Sequence, residues 1–183
     1  YLCFHQYYLL LHYGCAGQWH VLIVEIRPRR ICSRVLNVKS VIKQRPLKIH
    51  FNMKIAVIGA GAMGGAVASG LCAAGCDYKI TVSNPSPGPL KPLKEMGIAV
   101  TSDNTVAVRD ADIVILAVKP WIIESVIAEI RPVLDYNRQA VAAIVAGVPG
   151  AQLCEWFLKD SELPQLMIVM PNTAMEVGSS MTF

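Results

Sequence analysis

The chain has 183 residues, of which 54% are hydrophobic and 16% are charged, and its formal net charge is +4. This length suits one ordinary domain with an appendage, and the composition excludes a disordered tail, a coiled coil and a collagen-like repeat. The charge is unevenly distributed. Residues 1–52 hold eight basic residues and one acid, a net +7, whereas residues 53–183 hold nine basic and twelve acidic residues, a net −3. The basic excess therefore belongs to the amino-terminal segment.

Residue usage changes at the same point. All four histidines precede residue 53, and all seven methionines lie at or after Met53. We therefore interpret residues 1–52 as an irregular basic extension that the fold does not need, with Met53 as the functional start. The protein is expected in the cytoplasm; the alternative is an organelle, because residues 27–50 are Arg-rich and free of acids, as in a transit peptide. Polar interruptions disfavour a membrane span in residues 1–24, and dispersed cations disfavour a nucleic-acid-binding arm.

From Met53 onward, short apolar runs typical of strands alternate with helical stretches. Strands are predicted at 54–58, 79–83, 98–101, 113–118, 141–145 and 166–170. Helices are predicted at 63–74, 90–96, 105–109, 121–134 and 151–158. This alternation indicates parallel strands joined by right-handed crossovers, and the continuously apolar strands fit a sheet covered by helices on both faces. The fold predicted for residues 53–175 is therefore a doubly wound, Rossmann-like α/β sheet.

The loop after the first of these strands carries a GxGxxG pattern, Gly59-Ala60-Gly61-Ala62-Met63-Gly64. In a dinucleotide-binding sheet the first glycine permits a tight turn, the second lets the backbone approach the pyrophosphate, and the third allows the helix to pack closely on the sheet. The helix N-terminus then offers free amides to the phosphates. Because a strand precedes and a helix follows, we predict a phosphate-binding loop here, the alternative being a merely tight turn.

The end of the second strand indicates which dinucleotide is preferred. An acid there would bind the ribose hydroxyls of NAD and repel the extra phosphate of NADP, but the chain has Ser83, Asn84 and Ser86 at this place. These side chains can donate hydrogen bonds to a phosphate. NADP(H) is therefore favoured and NAD(H) is the alternative, although a plain Asn-Pro turn would use the same residues.

Ligands of such sheets bind beyond the carboxyl ends of the strands. The other residues at these ends are small or polar, and we take them as candidate binding residues: Asn104, Ala117, Val118, Lys119, Pro120, Ala146, Gly147, Asn172 and Thr173. Lys119 is the one cation among them, and a solvated surface lysine is an equal alternative. Trp121 and Trp156 are expected to cover the sheet. No metal site is expected, because the cysteines lack metal-ligand spacing.

Four stretches together resemble the pyrroline-5-carboxylate reductase family: IGAGAMG at 58–64, LAVKP at 116–120, AGV at 146–148 and MPNTA at 170–174. Each alone is shared with other dehydrogenases, whereas their order and spacing are specific. The resemblance runs from Met53 to Phe183 and covers that family's amino-terminal cofactor domain. It implies an oxidoreductase that reduces 1-pyrroline-5-carboxylate to proline, the last step of proline biosynthesis, with NADPH or NADH as the hydride source.

The resemblance also implies roles for individual residues. Ile58–Met63 would meet the pyrophosphate, Asn84 the adenosine ribose or its phosphate, and Asn104 would lie near the adenosine. Toward the nicotinamide and the substrate, the residues implied are Ala117–Pro120, Val145, Ala146, Gly147, Asn172 and Thr173. An imine carbon is already electrophilic, so positioning supplies much of the catalysis, which fits residues 53–183 having no histidine.

In that family an all-helical dimerisation domain would follow Phe183, with residues 176–183 starting the link to it. The catalytic residues are therefore expected beyond this chain, and the chain alone is expected to be inactive. A homodimer or higher oligomer is expected only with that domain, and the partner of the site is a small-molecule substrate, not nucleic acid or membrane. Two alternatives stay open: a fragment of a β-hydroxyacid or 6-phosphogluconate-type dehydrogenase, which shares GAGAMG, and a non-enzymatic NADP-binding module.

Overall fold

Eight strands form one sheet in the computed structural model, which describes residues 6–13, 19–26, 53–74, 78–177 and 180. The strands are β1 (Gln6–Tyr13), β2 (Trp19–Ile26), β3 (Lys54–Ile58), β4 (Lys79–Ser83), β5 (Ala99–Thr101), β6 (Ile113–Leu116), β7 (Ala140–Ala143) and β8 (Gln165–Ile168). Their order in the sheet is β2-β1-β8-β7-β6-β3-β4-β5. Strands β3 to β8 pair in parallel, which confirms the predicted six-stranded doubly wound arrangement.

Five α-helices connect these parallel strands. They are α1 (Ala62–Ala73), α2 (Leu90–Glu95), α3 (Asn104–Arg109), α4 (Ile123–Ile130) and α5 (Gly150–Phe157), with 3₁₀ turns at Arg131–Val133 and Thr173–Val177. The helix predicted at 121–134 is shorter than expected. It begins at Ile123, and Pro132, which has no backbone N–H, lies in the 3₁₀ turn that follows α4. The helix stop predicted at Gly75 lies outside the described residues.

Helices cover both faces of the sheet, as the apolar strands predicted. On one face, α4 and α5 bury Ile127, Leu153 and Phe157 against alternate residues of β3 and β6, including Ile58 and Leu116. On the other face, α1 and α2 bury Val67 and Leu93 against the intervening residues of β3 and β4. Burial of this kind stabilises each large aliphatic side chain by about 1.5–3 kcal/mol. The strands are therefore held rigidly, and the loops at their carboxyl ends are positioned by them.

The direction of winding reverses between β3 and β6. The chain runs from β3 outward to β4 and β5, then returns to β6 on the other side of β3 and continues outward to β7 and β8. In open α/β sheets, ligands bind in the crevice at such a switch point, beyond the carboxyl ends of the strands. A ligand is therefore expected to bind between the loops that follow β3 and β6.

The strands β1 and β2 form an antiparallel hairpin at the edge of this sheet. A parallel register pair, Tyr7 opposite Met167, joins β1 to β8. Residues 1–52 were interpreted as an irregular extension, and the strands at Gln6–Tyr13 and Trp19–Ile26 differ from that expectation. The basic residues 27–50 lie outside the described residues. Within the described parts of the chain, no helix is long and apolar enough to cross a membrane.

We expect a chain that begins at Met53 to fold and to bind cofactor as well as the full chain. Met53 packs against the core beneath α1, its carbonyl accepts a hydrogen bond from the Lys79 N–H at 2.9 Å, and all six parallel strands lie after it. The unfolding midpoint followed by circular dichroism should stay within a few degrees of that of the full chain, because among the described residues the removed strands pair with the rest of the sheet at one register position, Tyr7 opposite Met167. A matched chain beginning at Val57 lacks three of the five residues of β3 and should not fold. A Met53 chain without cooperative unfolding would contradict this interpretation.

Candidate functional site

The glycine-rich loop between β3 and α1 is a tight, closely packed turn. Gly59 has a φ of +98°, a conformation that side chains rarely adopt, and its N–H donates to the Ser83 carbonyl at 2.8 Å. A Cβ on Gly59 would lie 2.6 Å from the Ala117 carbonyl oxygen, and one on Gly64 would overlap the Gly59 carbonyl oxygen. The first and third glycines of the motif are therefore required by the fold itself.

Gly61, the second glycine of the motif, is different. It is exposed, and a Cβ built on it would meet no described atom within 4 Å. Gly61 is also the N-cap of α1 and provides no side-chain cap. The Gly65 N–H donates to the Gly61 carbonyl at 2.8 Å, the first hydrogen bond of the helix. The N–H groups of Ala62 to Gly64 come before it and have no acceptor within the helix. Such a helix end, with its positive dipole and unused N–H groups, suits an anion such as a phosphate.

Asn84, directly after β4, fastens the glycine-rich loop to the neighbouring strand. Its Oδ1 accepts a hydrogen bond from the Ala60 N–H at 3.2 Å, and its Nδ2 donates to the Ser86 carbonyl at 2.9 Å. The preceding residue, Ser83, is fully buried, and its hydroxyl donates to Oδ1 of Asn104 at 2.7 Å. Ser83 is therefore shielded from solvent and hydrogen-bonds to Asn104, whereas Asn84 is half-buried and Ser86 is exposed at this edge of the sheet.

Asn104 begins helix α3, whose first turn is fixed by the preceding residue. The Asp103 carboxylate accepts hydrogen bonds from the Thr105 hydroxyl at 2.7 Å, the Thr105 N–H at 2.8 Å and the Val106 N–H at 3.2 Å. These bonds, the one from the Thr105 hydroxyl foremost, lower the pKa of Asp103 below its usual value. A lowered pKa in the folded chain means that this cap stabilises the helix at neutral pH and is lost only as the pH falls through the lowered pKa.

The loop after β6 closes the other side of the crevice. The Ala117 N–H donates to the Ile58 carbonyl at 2.9 Å, which continues the pairing of β6 with β3. Lys119 and Pro120 are exposed, and Lys119 Nζ lies 5.0 Å from the centre of the Trp121 ring. Trp121 itself is 75% exposed, so the expectation that it covers the sheet is wrong: α4 begins only at Ile123 and turns its own isoleucines inward. Trp156 packs against the core as predicted.

Two further strand ends complete this edge. After β7, Val145 is buried while Ala146 and Gly147 are exposed, and Gly147 has a φ of +80°. After β8, Asn172 and Thr173 are exposed. The Asn172 side-chain oxygen accepts from the Ala174 N–H at 3.1 Å, so this side chain caps the following 3₁₀ turn.

That 3₁₀ turn, Thr173–Val177, lies against α1. A Cβ on Gly70 would overlap the Met175 carbonyl oxygen, so the missing side chain at Gly70 permits this contact. The same helix that begins at the glycine-rich loop therefore also holds the segment that carries Asn172 and Thr173.

The candidate residues thus share one edge of the sheet, but they differ in how they could reach a ligand. Those exposed there are Gly61, Ala62, Lys119, Pro120, Ala146, Gly147, Asn172 and Thr173; those half-buried are Gly59, Met63, Asn84, Asn104, Ala117 and Val118; those buried are Ile58, Ala60, Gly64, Ser83 and Val145. Among the described residues there is no group of three His, Cys, Asp or Glu side chains that could hold a metal ion. The arrangement suits an extended, phosphate-containing ligand with an apolar end.

Sequence reasoning missed two residues of this edge. Glu129, on α4, accepts a hydrogen bond from Asn104 Nδ2 at 2.8 Å, and no local pattern announces a contact between residues 25 positions apart. Gly70 lies within the helix predicted at 63–74 and was not singled out from the sequence. A glycine inside a helix is unfavourable by about 1 kcal/mol relative to alanine, and that cost is the signal that could have indicated a close contact.

Comparison with known proteins agrees with this geometry. Residues 54–147 match the family described as NADP oxidoreductase, coenzyme F420-dependent. Pyrroline-5-carboxylate reductase of Corynebacterium melassecola is 40% identical over 132 residues, which are 70% of this chain and 48% of the relative. The enzyme of Vibrio alginolyticus is 37% identical over 131 residues, 70% of this chain and 47% of the relative. This chain spans about half the length of the curated relatives it matches.

Solved structures give the same result. A pyrroline-5-carboxylate reductase from Coxiella burnetii superimposes with a TM-score of 0.63 at 34% identity, covering 70% of this chain and 47% of that one. A Plasmodium falciparum pyrroline carboxylate reductase with NADP bound gives a TM-score of 0.60 at 29% identity, covering 72% and 47%. The resemblance to the amino-terminal part of pyrroline-5-carboxylate reductases is confirmed. The chain belongs to the NADP oxidoreductase family described as coenzyme F420-dependent.

Proposed function

We propose that this chain is the cofactor-binding part of a pyrroline-5-carboxylate reductase, with residues 53–175 as its NADP(H)-binding domain. The observation that carries the proposal is the open space at Gly61, next to the unused amides at the start of α1. A strand-to-helix turn does not itself require open space at its second glycine, whereas a bound pyrophosphate does. The open space at Gly61 therefore supports a pyrophosphate site. Relatives with this region in common bear the name of this enzyme, which supports the choice of reaction.

The residues of the site have separate tasks in this proposal. The amides of Ala62 to Gly64 bind the pyrophosphate, and the loops after β6 and β7 run beside the remainder of the cofactor toward the nicotinamide. When bound, NADPH would supply a hydride to the imine carbon of 1-pyrroline-5-carboxylate; the electron pair of the C=N π bond would pass to the ring nitrogen, and a proton from water would complete the ring amine of proline. Ala146 and Gly147 carry no bulky side chain, so a flat ring has space there. Catalysis then rests on holding the two reacting carbons in an aligned pose about 3–3.5 Å apart.

We further propose that NADPH is preferred over NADH, and that Asn84→Asp weakens the binding of NADPH selectively. No acid follows β4 in the segment 84–88, so nothing there repels the extra phosphate of NADP. An aspartate at position 84 keeps an oxygen that can accept from the Ala60 N–H, as Asn84 does at 3.2 Å, and adds a negative charge beside that phosphate. NADPH binding should weaken about tenfold or more, while NADH binding should change little. Calorimetric titration of both cofactors measures this.

The control for this substitution is Asn137→Asp, which adds the same charge in the turn before β7, at the opposite edge of the sheet. It should leave both affinities unchanged. Tighter binding of NADH than of NADPH by the unsubstituted chain would refute the preference.

The proposed reaction is tested with a chimeric protein. We expect the 183-residue chain to bind NADPH and to reduce 1-pyrroline-5-carboxylate very slowly, because hydride transfer needs the two reacting carbons held in an aligned pose and the chain spans about half the length of the relatives that bear this enzyme's name. Joining residues 1–177 to the remaining half of the Corynebacterium relative should yield dimers that form proline.

Two results would contradict this proposal. Turnover by the chain alone as fast as by the chimera would place the substrate site within this chain. Oxidation of a β-hydroxyacid such as 3-hydroxyisobutyrate by the chimera, with 1-pyrroline-5-carboxylate left unchanged, would favour the hydroxyacid dehydrogenase class. Proline formation is measured directly, and cofactor oxidation by absorbance.

A further inference from the structure

Three polar side chains from three different elements form a short chain of hydrogen bonds beside the proposed adenosine end of the site. The hydroxyl of Ser83, at the end of β4, donates to Oδ1 of Asn104 at 2.7 Å. Nδ2 of Asn104, at the start of α3, donates to Oε2 of Glu129 on α4 at 2.8 Å. Ser83 is fully buried, Asn104 is half-buried and Glu129 is exposed, so the chain runs from the core outward.

The chemistry of these groups decides which of them sets the orientation of the Asn104 carboxamide. A serine hydroxyl can donate or accept, so Ser83 would pair equally well with Oδ1 or with Nδ2 of Asn104. An ionised carboxylate only accepts. Glu129 therefore requires an N–H from Asn104, and this forces Oδ1 toward Ser83. The carboxylate, not the buried hydroxyl, determines the direction in which the amide points.

The oriented carboxamide retains capacity for a ligand. A carboxamide has two N–H donors and two acceptor lone pairs, and one donor and one lone pair are used by Glu129 and Ser83. One N–H and one lone pair of Asn104 remain, in fixed directions. Preorganised groups bind more tightly than groups that must be ordered on binding.

Helix α4 holds the backbone of Glu129 in a fixed position. Ile123, Ile127 and Ile130 of this helix are fully buried in the core, and Ile130 directly follows Glu129. The carboxylate is exposed, but its backbone cannot shift without disturbing that packing.

We propose that Glu129 is a positioning residue for cofactor binding, which acts by fixing the orientation of Asn104 at the adenosine end of the site. This inference rests on the proposed function, since it requires that the site binds a dinucleotide. The role is unexpected on charge alone, because a carboxylate near a phosphate-bearing ligand should repel it. Removing the carboxylate should therefore strengthen cofactor binding if only charge matters, and weaken it if Glu129 positions Asn104.

The experiment measures the affinity of the 183-residue chain for NADPH and for adenosine 2′,5′-bisphosphate, a probe that covers only the adenosine half. Glu129→Ala should weaken both about three- to tenfold, the worth of one oriented hydrogen bond. Glu129→Gln should weaken binding less than Glu129→Ala, because its Oε1 can still accept from Asn104 Nδ2, but its Nε2 can also donate to Oδ1, so that one orientation of the Asn104 amide is no longer required. Glu129→Lys should also weaken binding, since an ammonium only donates and would turn the amide around, even though its positive charge attracts phosphate.

Two controls separate positioning from a general effect of charge or folding. Glu124→Ala removes a carboxylate from the exposed face of the same helix and should leave affinity unchanged or slightly tighter. In an Asn104→Ala background, Glu129→Ala should have no further effect, because the residue through which it acts is gone. Unfolding midpoints of all variants show whether each is folded, and Glu129→Lys serves as the second variant if Glu129→Ala is not.

Failure of the positioning role and failure of the proposed function would give different results. Unchanged or tighter binding by Glu129→Ala and Glu129→Lys would overturn the positioning role while leaving the proposed function intact, and so would an equal loss in the Asn104→Ala background. If the unsubstituted chain bound neither NADPH nor the bisphosphate, the proposed function itself would be overturned, and this inference with it.

Discussion

A Gly61→Val variant is expected to keep the fold and to lose NADPH binding. Gly61 has a φ of −68° and a ψ of −174°, an extended conformation that valine adopts without strain. A Cβ at this position meets no described atom within 4 Å, so the folded protein has room for the side chain. The same room is where the pyrophosphate would approach the amides of Ala62 to Gly64. A branched side chain there should remove two or more charge-assisted hydrogen bonds, each worth about 1.5–3 kcal/mol, and weaken binding about a hundredfold or more.

The matched control for this variant is Gly65→Ala. Gly65 lies in the same turn of α1, and a Cβ on it would be 4.0 Å from the Ala60 carbonyl oxygen, an ordinary contact. This variant should bind NADPH like the unsubstituted chain. Fluorescence titration of NADPH, together with thermal unfolding, distinguishes lost binding from lost folding. If folded Gly61→Val bound NADPH with unchanged affinity, the loop would be no more than a tight turn.

The contrast among the three motif glycines shows what the sequence could predict. The pattern GxGxxG was sufficient to place a phosphate-binding loop between the first of the parallel strands and the first helix, because strand and helix boundaries follow from local periodicity. It could also assign a separate task to each glycine. The structure supports this division: Gly59 and Gly64 are enclosed by backbone, whereas Gly61 faces open space.

Contacts between distant parts of the chain could not be predicted in the same way. The bond from Ala60 to the Asn84 side chain and the bond from Asn104 to Glu129 join residues 24 and 25 positions apart. Exposed polar side chains such as Glu129 carry no periodic signal, and their partners are decided only when the helices dock. The exposure of Trp121 was missed for a related reason: large apolar residues are usually buried, but the first buried residue of this connection is Ile123.

Gly64→Ala is expected to destabilise the folded protein strongly, in contrast to Gly65→Ala at the adjacent position. A Cβ on Gly64 would overlap the Gly59 carbonyl oxygen and lie 3.1 Å from the Ala117 side chain. The first neighbour is backbone and cannot rotate away, so α1 must move off the sheet or the turn at Gly59 must open. Overpacking of this kind costs about 1–3 kcal/mol and occasionally more. Helix propensity acts in the opposite direction, because alanine is favoured over glycine by about 1 kcal/mol inside a helix.

The two adjacent substitutions therefore separate packing from propensity. Both replace a glycine of α1 by alanine and both gain the same propensity, so the difference between their free energies of unfolding reports the contact between α1 and the Gly59 turn. Urea denaturation should give a lower midpoint for Gly64→Ala and an equal or higher one for Gly65→Ala, with similar slopes if both unfold in one step. NADPH should also bind more weakly to Gly64→Ala, because a displaced helix carries its free amides away from the phosphate. Equal midpoints for the two variants would mean that α1 is not pressed against the turn, and that the third glycine of the motif is not required by packing.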